Sequence, residues 1–381
     1  MGTDLAEYLF DFNLRTIWVI RTLERRLEKE TRISKKITRL VRLDQLTKDA
    51  AETKKNDFKI TSDFAELSNA EIIIECISEN LESKRELFLS IRQFVNEKTV
   101  ILSNTSSLPL CDIFEPLGIM QRCAGLHFFY PIQLKNIVEI NLCPQNDNFS
   151  IEKINQFLEL IERKSITLEL PHHFVLNRIF FLYLAQAFRI YEAGELSIDE
   201  IDALVEKELF PIGPFKFIDN VGLDILLQSI KQYISQPHEQ AFCDSWLEAM
   251  DCLVKNGCLG VKSGRGFYKS SISFRKDFVS KKADVSLKTD MEERVATKLF
   301  SVFVNSLFSE LNKGYTTLEC LCEVIQEYLG LENNLKKSII DFGVPLIVST
   351  LENLHVVTKD DIYKPLPLLE IFADQFDPVG L

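Results

Sequence analysis

The sequence predicts an α/β fold, a doubly wound sheet that lacks its first strand, followed by all-α C-terminal domains. Short apolar runs alternate with charged helical segments up to about residue 140, and from about residue 174 onward the pattern is helical, interrupted by Gly and Pro. Apolar runs without polar alternation are typical of parallel strands that helices cover on both faces. The length of 381 residues also exceeds the roughly 250–300 residues at which one core stops growing, so we expect several domains.

Apolar runs at four places are the candidate strands. They lie at 16–20, 71–75, 99–103 and 124–127. Between the first two runs, residues 21–55 repeat opposite charges at helical spacing, which predicts a solvated pair of helices. The pattern changes after residues 165–170, so we predict a domain boundary near residue 170.

The helical part contains a faint internal repeat, because residues 177–206 align without a gap with residues 297–326. In each copy a helix ends at a glycine and the next helix begins at a hydroxyl residue, which is a good N-cap. These residues are Gly194 with Ser197 and Gly314 with Thr317. The predicted domains are a sheet domain at 1–170, a first helical domain at 171–285 and a second, degenerate copy at 286–381.

Composition and charge exclude several classes of function. A net charge of −12 makes nucleic acid an unfavourable partner. The nine cysteines include no CxxC pair, so neither a zinc site nor a disulfide framework is expected. The side chains of the adjacent His172 and His173 diverge too much to bind one metal ion. No apolar run reaches the ~20 residues of a membrane span. The first residues lack the pattern of a signal peptide, so we expect a cytoplasmic protein.

A histidine and a carboxylate are the candidate catalytic pair. His127 ends an apolar run, and open α/β sheets place their sites at the carboxyl ends of strands. Glu139 lies inside the apolar segment 136–140, where a buried charge needs a partner. A carboxylate bonded to one imidazole nitrogen fixes the tautomer, so the other nitrogen can accept a proton from a substrate hydroxyl. A purely structural, satisfied histidine remains the alternative.

Hydroxyl and amide side chains follow another apolar run, at residues 103–107. Such a cluster can orient a substrate, and it is also the usual composition of a helix N-cap. The residues alone leave both interpretations open.

Several motifs, in this order and spacing, resemble those of the 3-hydroxyacyl-CoA dehydrogenase family up to about Tyr268. They are Glu75-Cys-Ile-Ser-Glu-Asn80 with Lys84, Asn104-Thr-Ser-Ser107, Gly125-Leu-His-Phe-Phe129, Val138-Glu139, Asn177-Arg178, Gly213-Pro-Phe215 and Leu259-Gly-Val-Lys-Ser-Gly-Arg-Gly-Phe-Tyr268. The resemblance implies a Rossmann-like domain that binds NAD, or NADP, and a substrate that is an acyl-CoA or a related acyl thioester. It also implies that His127 is the general base, that Glu139 orients it, and that Ser106 and Asn177 bond the substrate or the base.

The implied reaction is the oxidation of a 3-hydroxyacyl thioester to a 3-ketoacyl thioester. The resemblance places cofactor contacts at Gly2, Arg21, Glu79, Lys84, Asn104 and Tyr130. The last hundred residues resemble the second helical domain in multifunctional β-oxidation proteins, with Thr297 at the position of Asn177. A monomer, a dimer and a part of a longer multifunctional chain all fit this pattern.

The sequence departs from the family pattern in the part that binds the dinucleotide. Of the G-x-G-x-x-G fingerprint only Gly2 is present, and the strand before it is missing. Because that strand is central in a doubly wound sheet, we expect unpaired neighbours and a slot through the core. Two explanations stay open: a sequence that starts late, or a degenerate protein that no longer binds a dinucleotide.

Smaller departures concern the two ends of the cofactor site. Ile20 stands where NAD-specific members have an acidic residue, and Arg21 after it can meet a 2′-phosphate or merely begin a solvated helix. Tyr130 replaces a short polar residue, and His172 and His173 replace a Pro-Gly pair. The alternatives to an active dehydrogenase are a non-catalytic paralogue that binds acyl-CoA or a protein partner, and a dehydrogenase for substrates on an acyl carrier protein.

Overall fold

A computed structural model of the chain describes residues 1–168, 174–234, 236–275, 285–314 and 316–374, with backbone alone at 285–289 and 374. The chain divides into two compact units, Met1–His172 and His173–Leu381. The predicted fold class is confirmed, since the first unit holds a largely parallel sheet with helices and the second is helical. The predicted boundary near residue 170 and the pair His172–His173 lie outside the described residues. The predicted subdivision of the helical part stays a prediction.

The first unit alternates strands and helices along the chain. Its elements are α1 (Gly2–Leu9), β1 (Thr16–Val19), α2 (Leu23–Arg42), α3 (Lys48–Asp57), β2 (Phe58–Thr61), β3 (Ile72–Glu75), α4 (Leu81–Ile91), β4 (Val100–Ser103), α5 (Leu110–Phe114), β5 (Cys123–Phe128), β6 (Ile137–Asn141), α6 (Asn148–Leu160) and β7 (Lys164–Leu168). The four predicted strands and the charged helical pair α2 and α3 are confirmed within a residue or two. Strands β2, β6 and β7 are additions to that set.

The strands of the first unit form two separate sheets. Strands β1 and β2 pair in parallel, and the other five follow the order β3-β4-β5-β6-β7, with β5 and β6 antiparallel and the remaining neighbours parallel. A cavity of about 1150 Å³ is lined by residues of both β1 and β3. The slot predicted from the missing first strand is therefore present.

Burial along the strands marks the edges of this slot. Every residue of β4, β5 and β6 is buried, as expected for strands that helices cover on both faces. All four residues of β1 and the first three of β3 are only half-buried. Strands β1 and β3 thus behave as edges, although both carry the apolar sequence of interior strands.

The second unit consists of helices and short turns. Its helices are α7 (Val175–Glu192), α8 (Ile198–Glu208), α9 (Pro214–Val221), α10 (Leu223–Tyr233), α11 (Pro237–Lys255), α12 (Val285–Leu311), α13 (Leu318–Leu329), α14 (Leu335–Phe342), α15 (Val344–Thr358) and α16 (Pro367–Asp374). Long helices α7 and α12 pack along each other. Within the described parts of the chain no single helix has the length and apolar character of a membrane span; the pair α14 and α15 meets those criteria only jointly and is bent by 69°.

The predicted internal repeat is confirmed at its helix ends. The Ser197 hydroxyl caps α8 in a capping box, and the Thr317 hydroxyl accepts a hydrogen bond from the third residue of α13. Gly194 and Gly314, just before these caps, have φ angles of 77° and 79°. Both glycines therefore adopt the left-handed conformation that ends a helix.

Candidate active site

His127 and Glu139 meet because their strands pair in antiparallel register. Directly opposite residues of such a pair project on the same face of the sheet, and His127 lies opposite Glu139 in the β5–β6 ladder. The Nδ1 atom of His127 is 2.9 Å from Oε2 of Glu139. Glu139 is fully buried and His127 is 6% exposed, so the predicted pair is present and is buried.

Contacts with Phe129 and Glu139 orient the imidazole ring of His127. The ring of Phe129 packs edge-on against that of His127, with centroids 4.6 Å apart. With Nδ1 bonded to the carboxylate, Nε2 is the ring nitrogen that can exchange a proton with a ligand. The backbone N–H of Phe128, the next residue along β5, donates to Oδ1 of Asn104 at 2.9 Å. The structure thus brings the loop after β4 next to His127.

One carboxylate, Glu79, holds the hydroxyl cluster after β4. Its Oε1 atom accepts hydrogen bonds from the Thr105 hydroxyl at 2.6 Å, from the Ser106 N–H at 2.9 Å, and from the N–H and hydroxyl of Ser107 at 3.0 and 2.9 Å. The Ser106 hydroxyl lies 3.4 Å from the same oxygen. Glu79 therefore shapes the loop that carries Ser106, and the roles assigned to Glu79 and Ser106 toward cofactor and substrate stay predictions.

The ionisation of Glu79 follows from these contacts. Burial raises the pKa of its carboxyl group, but the nearby Lys84 cation and the hydrogen bonds from Thr105, Ser107 and the Ser106 N–H outweigh burial. The resulting pKa is below its ordinary value. Glu79 is therefore a carboxylate at neutral pH.

A second buried carboxylate, Glu75, was missed as a site residue by the sequence analysis. It ends β3, and its two oxygens each lie 2.8 Å from the ammonium nitrogen of Lys84, which is fully buried. The Ser103 hydroxyl donates to Glu75 at 2.6 Å, and Lys84 also lies 3.4 Å from Glu79. A lone acidic residue in an apolar run was the available signal, as it was for Glu139. The assignment of Lys84 to the cofactor stays a prediction.

The amino end of α1 has features of a dinucleotide cradle. A Cβ atom added to Gly2 would lie 3.1 Å from that of Cys76, a tight contact that favours glycine where α1 approaches the end of β3. A helix amino end attracts phosphate through its unpaired N–H groups and dipole. Exposed Arg21 follows β1, and it lines the slot together with Arg25 and Lys29 at helical spacing. These residues fit the phosphates of a dinucleotide.

Two of the predicted site residues lie at the surface or in the second unit. Tyr130 is 62% exposed and lies two residues after the end of β5. Asn177 belongs to the second unit, on the first turn of α7, where its amide donates to the hydroxyl of Tyr233 at 2.7 Å. The predicted association of Asn177 with His127 stays a prediction. Among the described residues, no group of three or more His, Cys, Asp or Glu side chains is arranged to hold a metal ion.

Comparisons with known proteins agree with this fold. The model of the 3-hydroxyacyl-CoA dehydrogenase NAD binding domain matches residues 1–170, and that of the C-terminal domain of the same family matches residues 174–270. The mitochondrial hydroxyacyl-coenzyme A dehydrogenase of Sus scrofa is 34% identical over 205 residues, which are 53% of this chain and 64% of that protein. The chain thus spans less than two thirds of the length of this relative.

A bacterial relative and a solved structure extend the comparison. A 3-hydroxybutyryl-CoA dehydrogenase of Mycobacterium tuberculosis is 30% identical over 240 residues, 62% of this chain and 83% of that protein. The crystal structure of 3-hydroxybutyryl-CoA dehydrogenase from Escherichia coli K12 has a TM-score of 0.79 at 19% identity and covers 100% of this chain and 97% of its own. At that identity the similarity shows the fold.

The class of the protein follows from the fold and the site, an α/β unit of the dinucleotide-binding type with a buried histidine–carboxylate pair, joined to a helical unit. Within that class, the matches to both domain models and to the bacterial relative identify the family. The chain belongs to the 3-hydroxyacyl-CoA dehydrogenase family.

Proposed function

We propose that this protein oxidises 3-hydroxyacyl-CoA thioesters to 3-ketoacyl-CoA thioesters with a nicotinamide cofactor. The observation that carries the proposal is the buried pair of His127 and Glu139, 2.9 Å apart. The Glu139 carboxylate keeps the proton on Nδ1, so Nε2 accepts the proton of the substrate 3-hydroxyl. In the reverse direction the imidazolium returns this proton to the alkoxide, and the buried carboxylate stabilises its positive charge.

A nicotinamide cofactor held by this unit would supply the other half of the chemistry, an acceptor for the hydride that leaves C3 of the substrate. The chain offers the amino end of α1 and Gly2 for the phosphates, and Arg21 for the adenosine ribose. The loop fixed by Glu79 and Asn104 borders His127, where the reacting carbon has to lie. We assign Ser106 and Asn177 to the orientation of the substrate hydroxyl.

Reduction of acetoacetyl-CoA by purified protein tests this proposal. With NADH or NADPH as reductant, we expect turnover that His127→Ala lowers by about 10²–10⁴-fold in kcat, because general acid–base catalysis contributes about that much. Glu139→Gln keeps the shape of the side chain but removes the charge that stabilises the imidazolium, so we expect a smaller loss in kcat with little change in KM.

His238→Ala is the matched control, because His238 is an exposed histidine on α11 of the second unit. Its kcat is expected to equal that of the unchanged protein. Fluorescence titration with both cofactors separates catalysis from binding. Absence of saturable binding at millimolar cofactor would overturn the proposal in favour of a non-catalytic paralogue that binds acyl-CoA or a protein partner.

Two further parts of the proposal concern the carrier of the acyl group and the cellular location of the protein. We propose CoA as the carrier; a kcat/KM at least as high with the same acyl group on an acyl carrier protein contradicts that choice. The cytoplasmic location expected from the sequence also remains a proposal. Fractionation of cells, with the protein followed by an antibody, tests it.

A further inference from the structure

A buried network of charged side chains in the second unit surrounds Arg178, the residue that follows Asn177 on the first turn of α7. The Nε atom of Arg178 donates to Oε1 of Glu310 at 2.9 Å, and its Nη2 atom donates to Oε1 of Glu239 at 3.2 Å. The ammonium nitrogen of Lys313 lies 2.7 and 2.8 Å from the two oxygens of Glu310. Two cations thus meet two carboxylates, and Arg178, Glu239 and Glu310 are all buried.

One carboxylate of this network comes from the second helical copy. Glu310 lies at the carboxyl end of α12, whereas Arg178 lies at the amino end of α7. The two residues are 132 positions apart in the sequence. Because a buried cation needs partners of opposite charge, the second copy helps to determine where Arg178 lies.

Arg178 and Asn177 hold the same tyrosine at its two ends. The Nη1 atom of Arg178 donates to the backbone carbonyl of Tyr233, the last residue of α10. The side-chain amide of Asn177 donates to the hydroxyl of the same tyrosine at 2.7 Å. Tyr233 is 3% exposed, so the surrounding side chains restrict its movement. The position of Tyr233 therefore couples the amide of Asn177 to the guanidinium of Arg178.

The contact with Tyr233 determines how Asn177 presents its amide group. The terminal torsion of an asparagine side chain is broad and roughly two-fold, so an unrestrained amide can exchange its oxygen and its nitrogen. With Nδ2 donating to Tyr233, the Oδ1 atom faces the opposite side. A group that orients a substrate has to be held within about 0.5 Å and 10–20° of its working geometry. The hydrogen bond to Tyr233 supplies that restraint for Asn177.

The reciprocal ion pair between the two copies provides a comparison. Lys298 takes the place of Arg178 in the repeat, and its ammonium nitrogen lies 2.8 Å from Oε2 of Glu195 in the first copy. Thr297 stands where the first copy has Asn177. The side chains of this reciprocal pair are 25% and 32% exposed, whereas the pair of Arg178 is almost fully buried. The buried pair is thus the one beside the candidate site residue.

We propose that Glu310, from the second helical copy, is a positioning residue for Asn177. Its carboxylate holds Arg178, Arg178 holds the backbone of Tyr233, and the Tyr233 hydroxyl fixes the amide of Asn177. Glu310 acts only through these residues and does not touch the substrate or the cofactor. The proposal rests on the function proposed above, in which Asn177 orients the substrate hydroxyl.

A double-mutant cycle in the reduction of acetoacetyl-CoA tests this role. Glu310→Gln keeps the shape of the side chain but removes the charge that holds Arg178, and Tyr233→Phe removes only the hydroxyl that fixes Asn177. We expect each substitution to lower kcat by about tenfold, the effect of losing roughly one hydrogen bond, with KM for the cofactor unchanged. In an Asn177→Ala background the same substitutions should change kcat by less than about twofold, because residues that act through one group are not additive.

Glu195→Gln is the matched control, because it removes the charge of the reciprocal pair with Lys298 and should leave kcat unchanged. NMR of the Asn177 side-chain amide adds a measurement that does not depend on turnover. The signal is assigned by its absence from the spectrum of Asn177→Ala. We expect Glu310→Gln to move this signal toward its position in Tyr233→Phe, and Glu195→Gln to leave it in place.

Two outcomes overturn the proposal: an equal loss of kcat from Glu310→Gln with and without Asn177, and an amide signal that Glu310→Gln leaves unchanged. Should Glu310→Gln fail to fold, Glu310→Asp takes its place in both measurements, because it keeps the charge but shortens the side chain. A shifted amide signal in a protein without turnover supports the link from Glu310 to Asn177 and contradicts the proposed reaction, so the two failures are distinguishable.

Discussion

Two largely apolar strands of the first unit each contain a single buried acidic residue. Glu139 lies in β6 and is bonded to His127, and Glu75 ends β3 and is bonded to Lys84. Both carboxylates are almost completely buried. A buried charge costs several kcal/mol unless a partner compensates it. Such a residue in a strand sequence therefore indicates a paired partner nearby, although the sequence does not show which one.

Arg21 is the residue to which we assign the choice between NAD and NADP. It is exposed directly after β1, and it lines the slot with Arg25 and Lys29. An Arg at this strand end can bind the 2′-phosphate of NADP. We expect Arg21→Ala to raise KM for NADPH by about tenfold, the loss of roughly one charge-assisted hydrogen bond. KM for NADH should change little, and initial-rate kinetics with both cofactors measure the difference.

Arg42→Ala, at the far end of helix α2, which begins two residues after Arg21, is the control for this measurement. Arg42 is also exposed but does not line the slot. Equal changes of KM for NADH and NADPH on removal of Arg21 contradict a 2′-phosphate contact. In that outcome Arg21 is only a solvated residue at the start of a helix.

At the scale of elements, the sequence predicts those strands that contain an uninterrupted apolar run. The buried strands β4 and β5 were placed within one or two residues. Strand β2 was missed because Phe58-Lys-Ile-Thr61 follows the charged helix α3, and Lys59 within it is exposed. The network around Glu79 could not be predicted either, because it joins residues 26 to 28 positions apart in two loops.

The ion pair of Lys84 connects α4 to β3 in the core of the first unit. Lys84→Met leaves the Glu75 carboxylate buried without its cation, which destabilises a protein by about 3–5 kcal/mol. We expect that loss in urea unfolding, and a partial recovery when Glu75→Gln is added. Lys98→Met, at an exposed position before β4, is the control and should be neutral. A neutral Lys84→Met variant would contradict this role.

The loop held by Glu79 should loosen in acid. The pKa of Glu79 is lowered in the folded protein, so its carboxylate contributes stability at pH values above the ordinary pKa of about 4.3. That contribution is lost as the pH falls through the lower folded-state pKa. Urea unfolding between about pH 3 and pH 7 should therefore show a steeper acid loss for the unchanged protein than for Glu79→Gln. Identical pH profiles would exclude this linkage.

At the scale of the whole molecule, the two units set the positions of their helices and strands in different ways. The first unit relies on strand register, since the pairing of β5 with β6 alone sets His127 opposite Glu139. The second relies on repeated helical pairs whose ends are set by glycine and hydroxyl caps. This difference explains why the repeat could be found from sequence spacing, whereas the partners of individual site residues required the structure.

The repeat extends further in the structure than in the sequence. Gly222 separates α9 from α10, and Gly343 separates α14 from α15. Both have a φ angle of 98°, with ψ angles of 126° and 94°. This backbone lies outside the left-handed helical region that Asn tolerates, so glycine is needed at both breaks. Two equivalent glycines in equivalent places indicate a common backbone requirement of the two copies.

Substitution of these glycines tests that requirement. We expect Gly222→Ala and Gly343→Ala each to lower the free energy of unfolding by about 1–3 kcal/mol, measured with urea. The loss should be larger at Gly222, where an added Cβ would lie 3.3 Å from polar atoms of Asp224 and Lys262, than at Gly343, where its nearest neighbour is 3.6 Å away. Gly330→Asn is the control, because Gly330 has an ordinary left-handed conformation with open space around it. A neutral Gly343→Ala variant beside a destabilised Gly222→Ala variant would show that the second copy no longer depends on this glycine.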